Sequence, residues 1–196
     1  MNYQTGFAFA REATPIAGEP ASESDEFYTP RQIVDALPPI DLDPFSPPHR
    51  PVPAGSHCVG DEGGDGFAID WRGVVWANPP YSRGNLPRFG QKARDEVEAG
   101  RASIVIGLIP AKPGANYWHD HIHGRAVVGY VRGRIAFQGR DGQPFRDSRG
   151  HIQRGKFDSA FVLWSNDGEL VARVMSDLDV RSGLVIYWSD TQQGDE

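Results

Sequence analysis

The chain has 196 residues, of which 39% are apolar and 23% charged, the length and composition of one folded domain able to bury a core. It has no run of about 18 apolar residues and no basic start leading into a long apolar stretch, so neither a transmembrane helix nor a secretory signal is expected. One cysteine, Cys58, excludes an internal disulfide and, with no Cys/His cluster around it, argues against structural zinc. The expected setting is reducing and cytoplasmic, with no membrane and no metal partner.

The net charge of −6 is unevenly spread. Residues 1–70 hold 3 basic and 12 acidic side chains, and residues 157–196 hold 2 and 8. Residues 71–124 hold 7 and 4, and residues 125–156 hold 8 and 2. Salt screening makes local charge count for more than the total. A compact basic segment in an acidic chain is therefore a candidate phosphate-contacting patch. The plainer alternative is a solvated arginine-rich loop.

Residues 1–24, with Pro15, Gly18, Pro20 and Ser22, show no periodicity and read as a flexible arm. One domain is expected over 25–196. Thr29-Pro30-Arg31-Gln32 reads as a helix start, with Thr29 as N-cap, Pro30 in the first helical position and Gln32 completing a capping box. Ile33, Val34 and Leu37 give that helix an apolar face, and Pro38-Pro39 ends it after about two turns. A short strand is expected over 40–43, then irregular loop over 44–66. Val74-Val75-Trp76-Ala77 reads as a buried strand that stops abruptly at Asn78-Pro79-Pro80-Tyr81.

A helix is expected over 86–99, with Phe89, Ala93 and Val97 on one face and Gly100 as its stop. The run Ile104 to Ile109 is a second buried strand, and 116–122 a short helix. Strands are expected over 126–131, 134–137, 159–164 and 184–188. Asn166-Asp167-Gly168 reads as a turn, and 169–178 as a helix with Leu170, Val171, Val174 and Leu178 inward. Strands alternating with helices make the class α/β. The later strands follow one another without long helices, so that half of the sheet is expected to be antiparallel. Ligands bind at the carboxyl ends of strands in such sheets, where Asp43 and Asn78 both fall.

Asn78-Pro79-Pro80-Tyr81 carries the chemistry. Prolines have no N–H and a fixed φ, so the turn is stiff and its carbonyls are not drawn into a sheet. The Asn78 side-chain carbonyl and the Pro79 backbone carbonyl are two acceptors that can take both protons of an exocyclic amine. That favours a pyramidal nitrogen whose lone pair can attack an electrophilic methyl. Positive charge then develops on nitrogen, and the two oxygens stabilise it. Tyr81 can stack on a base that has left a duplex. The alternative is a proline turn that merely closes a strand.

The site resembles motif IV of the S-adenosylmethionine-dependent amino-methyltransferases. Asp25-Glu26-Phe27-Tyr28-Thr29-Pro30, Leu42-Asp43, Asp65-Gly66-Phe67 with Trp71, Val75-Trp76-Ala77-Asn78-Pro79-Pro80-Tyr81-Ser82-Arg83-Gly84, Ile109-Pro110-Ala111, Arg132-Gly133-Arg134-Ile135-Ala136-Phe137 and Asp158-Ser159-Ala160-Phe161-Val162 occur in the order seen in the phage-type DNA N-6-adenine methyltransferase family. The likeness covers residues 25–164. It implies a Rossmann-like class I methyltransferase sheet with S-adenosylmethionine beside Asn78. It further implies that Tyr28, Thr29 and Pro30 hold the methionine carboxylate at a helix N-terminus, and that Asp43 meets the cofactor's ammonium. Asp65 and Phe67 then meet its adenine. Without the resemblance, Asp65 is an Asp-Gly turn residue and Asp43 a loop-capping carboxylate.

Two features depart from the superfamily pattern. The glycine-rich loop is replaced by Pro44-Phe45-Ser46-Pro47-Pro48, which leaves the cofactor contacts of residues 44–60 unassigned. Residues 165–196 extend past the matched part.

Arg132 and Arg134, with Arg140, Arg146, Arg149, Arg154 and Lys156 in a basic loop at about 138–156, are the candidate contacts to double-stranded DNA. His119, His121 and His123 read as a polar helix surface rather than a metal site. The expected activity is methylation of the N6 amine of adenine in DNA. The rivals are methylation of RNA, of cytosine N4 or of a protein amide, and a non-catalytic nucleic-acid-binding domain of degenerate methyltransferase fold.

Overall fold

The computed structural model describes residues 28–82 and 84–188. The expected arm over 1–24, the Asp25 to Phe27 part of the first matched motif, Arg83 and residues 189–196 lie outside the described residues. The elements are α1 (Arg31–Val34), β1 (Ile40–Ser46), β2 (Ala54–Val59), β3 (Gly73–Ala77), α2 (Asn85–Glu98), β4 (Ala102–Pro110), α3 (Asn116–His121), β5 (Val127–Val131), β6 (Ser159–Trp164), α4 (Gly168–Arg181) and β7 (Ile186–Tyr187). A single 3-10 turn, Gly60–Glu62, follows β2.

The strands form one seven-stranded sheet in the order β2-β1-β3-β4-β6-β5-β7. β2, β1, β3 and β4 run parallel. β6 is antiparallel to β4 and β5, and β7 is antiparallel to β5. The class is thus α/β with a mixed sheet, compatible with a Rossmann-like fold, and its second half is antiparallel as expected.

The pleat of β4 sorts its apolar run between two cores. Ile104, Ile106 and Leu108 enter one core with Ile33 and Val34 of α1 and with Val171, Val174, Met175 and Leu178 of α4. Val105 and Ile109 enter the other with Leu86, Phe89, Ala93 and Val97 of α2 and Trp118 of α3. All five β4 side chains are fully buried, which is why the strand reads as a continuous apolar run. Gly107 lets α2 approach the sheet, since a Cβ there would lie 2.8 Å from the Phe89 ring.

The local signals for α2 and α4 hold. α2 ends at Glu98 with Ala99 as its C-cap, and Gly100 follows at a φ of 69°. Asp167, expected in a turn, caps α4 by accepting from the Leu170 N–H at 3.0 Å.

Four expectations are corrected. First, α1 is a single turn rather than two, and its N-cap is Pro30 with extended ψ 141° and no side-chain bond of its own, so the capping box does not form. The cause is tertiary. Tyr28 pairs with Gln138 through two backbone bonds of 2.9 and 3.0 Å, which keeps 28–30 extended, and the Arg31 N–H donates to Gln138 Oε1 at 3.2 Å.

Second, the stretch over 44–66 is not all loop. β1 runs through Pro44 to Ser46, with a register shift where proline has no N–H to give, and β2 pairs along it. β2 reads Ala-Gly-Ser-His-Cys-Val and has no clean alternation. It is a strand because β1 offers an edge, and Ser56 Oγ donates to Asp41 O at 2.9 Å.

Third, 134–137 is irregular, although Ile135 and Phe137 are buried. Fourth, the last strand spans only Ile186–Tyr187. The basic loop over 138–156 has no regular strand, and hydrogen bonds close it across 145–153. Gln153 N donates to Phe145 O at 2.7 Å and Asp147 N to His151 O at 2.9 Å. Asp147 Oδ1 closes the tip by accepting from Arg149 and His151 N–H groups at 2.8 and 2.9 Å. Short-range Asx bonding at Asp147 orders the tip of a stretch that holds four glycines and four arginines over 138–156. No described helix is long and apolar enough to cross a membrane.

Candidate functional site

Strand order reverses between β1 and β3, because β1 connects to β2 on one side while β3 continues to β4 on the other. A crevice opens at the carboxyl ends of such a pair. Asp43 near the end of β1 and Asn78 one residue past β3 both come to it.

The crevice is a cavity of about 530 Å³. Tyr28, Thr29, Asp43, Asp65, Phe67 and Asn78 line it, which brings together the residues expected to hold a cofactor except Pro30, the cap of α1. Pro44, Phe45, Ser46, Pro47, Pro48, Val52, Gly60 and Asp61 also line it, and these fill the stretch that sequence left unassigned.

Asp43 is only 3% exposed. Burial raises its carboxyl to about 6, against the lowering effects of the Phe45 N–H, the His57 charge and the Ser46 hydroxyl. The Phe45 N–H donates to Asp43 Oδ1 at 3.2 Å, and His57 stands opposite in the β1–β2 register. Among the described residues Asp43 has no ion pair. A buried carboxylate of this kind has room for one cationic ligand group.

A clasp holds Asp65 and Phe67 at the mouth. Trp71 is fully buried, and its indole N–H donates to Gly66 O at 2.8 Å. Gly66 lies so close to β1 that a Cβ would fall 1.9 Å from Pro44 O. Asp65 is the Asx-turn residue that the bare sequence suggests, accepting from Phe67 N at 2.9 Å, and it lines the cavity as well. Phe67 tilts against Phe45 with ring centroids 4.7 Å apart, and Arg88 of α2 places its guanidinium carbon 4.2 Å from the Phe67 ring centroid and a guanidinium nitrogen 3.7 Å from Asp65. Sequence reasoning missed Arg88. Nothing in its helical position marks it, because the contact exists only once α2 packs beside the 65–67 turn.

A second cavity of about 470 Å³ is lined by Asn78, Pro79, Pro80, Tyr81, Pro110, Phe137, Gly155, Lys156, Phe157 and Ser159. Asn78 and Pro80 line both cavities, so the asparagine turn is their common wall. Tyr81 Oη donates towards Asn78 Oδ1 at 2.6 Å and Leu108 O at 3.0 Å. Burial of that hydroxyl raises its ionisation well above the ordinary phenol range, so it stays a donor. Phe157 is 47% exposed, and Lys112 Nζ lies 4.9 Å from its ring centroid.

The seven basic candidates are all exposed, but they do not converge. Lys156 lines the second cavity. Arg134 pairs with Asp158 at 3.2 Å, and Arg154 donates to Arg134 O at 2.8 Å. Arg146 donates to Gly150 O at 2.7 Å within the loop tip, where Arg149 also lies. Arg140 lines a separate cleft with Arg31 and His49, and Arg132 stands after β5. No protein-family model matches this chain, and no curated protein matches its sequence.

Proposed function

We propose that the chain is an S-adenosylmethionine-dependent methyltransferase that acts on the N6 amine of adenine in DNA. One observation carries the reading: the Asn78-Pro79-Pro80-Tyr81 turn is the shared wall of two ligand-sized cavities at the carboxyl ends of parallel strands. The mixed sheet is then read as a class I methyltransferase sheet of the phage type, in a cytoplasmic protein, a setting that the lone Cys58 suits.

The first cavity fits the cofactor. Asp43 is a buried carboxylate without an ion pair among the described residues, suited to an ammonium, and Phe45 and Phe67 offer flat apolar surface to an adenine ring. Tyr28 and Thr29 stand at the carboxylate end in this reading. The single-turn α1 has too small a dipole to act as the anion site by itself, so direct contacts carry that role. When bound, the cofactor supplies an electrophilic methyl on a sulfonium sulfur.

The protein's part is to prepare the acceptor. Asn78 Oδ1 and Pro79 O accept the two amine protons, and the nitrogen lone pair is freed from the ring. The nitrogen–carbon bond would form as the methyl's bond to sulfur breaks, with that electron pair leaving on the neutral thioether; both oxygens would then face the positive charge growing on nitrogen, and one amine proton would afterwards be released to solvent. Pro79 and Pro80 keep those acceptors fixed, so little reorganisation accompanies the step. The second cavity takes the base, with the Tyr81 ring on its wall. Arg146, Arg149 and Lys156 meet the DNA backbone.

The test is transfer of tritiated methyl from S-adenosylmethionine to unmethylated DNA. Label is expected in adenine, and Asn78→Ala should lower the rate by about a hundredfold or more. Label in RNA, cytosine or protein instead would replace the substrate. No transfer and no cofactor binding by calorimetry would overturn the reading in favour of a degenerate fold.

A further inference from the structure

The Tyr81 hydroxyl has one proton and two oxygen neighbours, Asn78 Oδ1 at 2.6 Å and Leu108 O at 3.0 Å. With the amide turned this way, two acceptors compete for one proton. The other end of the amide, Nδ2, is then the end left for a ligand. That end is a donor, and an incoming amine is also a donor. Turning the carboxamide by 180° about its last torsion exchanges oxygen for nitrogen and moves no other atom. Nδ2–H then donates to Tyr81 Oη, and Tyr81 O–H donates to Leu108 O. Each proton has its own acceptor. Oδ1 becomes the free end of a residue that lines both cavities.

We propose that Tyr81 is a positioning residue: its hydroxyl, anchored on the β4 carbonyl of Leu108, selects the Asn78 amide orientation that presents Oδ1 to the acceptor amine. The inference rests on the methyltransferase reading for its purpose, but not for its geometry. It gives the Tyr81 hydroxyl a task separate from any stacking by the ring. It also ties the site to the strand that crosses the middle of the sheet, because Leu108 lies in β4 and is fully buried.

The choice of end is needed only because an amide has two different ends. A carboxylate at position 78 presents oxygen either way. Asn78→Asp therefore removes the need for Tyr81 to choose.

Two measurements test this on the full chain. The first needs no activity. In ¹⁵N-labelled protein, one Asn78 Nδ2 proton should be protected from solvent exchange, and Tyr81→Phe should remove that protection. If both Nδ2 protons exchange as in a free amide, nitrogen faces the cavities and the proposal is wrong, whatever the enzyme does.

The second is steady-state methylation. Tyr81→Phe keeps the ring and loses the hydroxyl. It should lower kcat about tenfold or more, with KM for DNA and cofactor affinity unchanged. The same substitution in an Asn78→Asp background should cost less than about threefold. An unchanged kcat, a loss confined to KM, or an equal cost in both backgrounds would overturn the proposal. Should Asn78→Asp itself be inactive, exchange protection and the kcat–KM split of Tyr81→Phe decide. If the unmodified chain methylates nothing, the functional reading fails and the exchange result still stands.

Discussion

Asp43 holds a buried carboxylate near the end of β1 with a cavity beside it and, among the described residues, no ion pair. Its folded pKa of about 6 lies above the ordinary 3.8, so the sign of its effect on stability follows. The group favours the folded state fully below 3.8 and loses that contribution as pH rises through about 6. At pH 8 the charged form costs at most on the order of 3 kcal/mol. Asp43→Asn keeps an acceptor for the Phe45 N–H and removes the charge. It should raise the Tm of the cofactor-free chain at pH 8, and the advantage should vanish near pH 4; thermal melts at both values check it. The same change should abolish cofactor binding. Binding by the unmodified chain should weaken as pH falls below about 6, which titration calorimetry would follow. An Asp43→Asn variant that still binds as tightly would remove Asp43 from the site. A cost in stability kept for binding is common at functional positions.

The 65–71 segment is an element without regular structure, yet it is rigid for stated reasons. Gly66 has no room for a side chain against Pro44, and the buried indole of Trp71 holds its carbonyl. Gly66→Ala should push the turn off β1 and carry Asp65 and Phe67 with it. Cofactor affinity is expected to fall about tenfold or more, with a loss of stability of about 1–3 kcal/mol from overpacking. Calorimetry and urea unfolding separate the two effects. Equal cofactor affinity in Gly66→Ala would mean that Asp65 and Phe67 do not touch the ligand. The closed loop over 145–153 is the second such element. Its Asp147 turn fixes a tip that carries Arg149, and its returning segment leads through Gly155 to Lys156 at the second cavity.

At the scale of the molecule, charge is separated. The acidic stretches surround a basic segment whose far end, Lys156, opens onto the cavity assigned to the base. An acidic protein of net −6 is a poor general binder of DNA, so local contacts must carry affinity. The logarithm of DNA affinity should fall linearly with that of salt concentration, and Arg149→Ala or Lys156→Ala should each reduce the slope by about one. Arg134→Ala should reduce it less, because Arg134 already pairs with Asp158. Fluorescence anisotropy over a salt series measures all three. A slope that no substitution changes would leave the basic segment as a solvated face.

What sequence determined is what short-range physics controls. The apolar runs of β3, β4 and β6 are strands because strands covered on both faces need apolar residues at every position. The 3.6-residue spacing of Phe89, Ala93 and Val97 made α2 legible, and Gly100 marked its end. Asn78 was legible as the end of a strand, and six of the seven residues tied to a cofactor do share one cavity. Tertiary structure decided the rest. β2 is extended because β1 offers it an edge, and α1 is cut to one turn because Gln138, over a hundred residues away, pairs with Tyr28. Arg88 joins Phe67, and the Tyr81 hydroxyl reaches Leu108, only after helix and sheet have packed. Those contacts join residues distant in sequence. Each residue's own backbone preference is silent about them, and the free energy that fixes them comes from burial in the assembled fold.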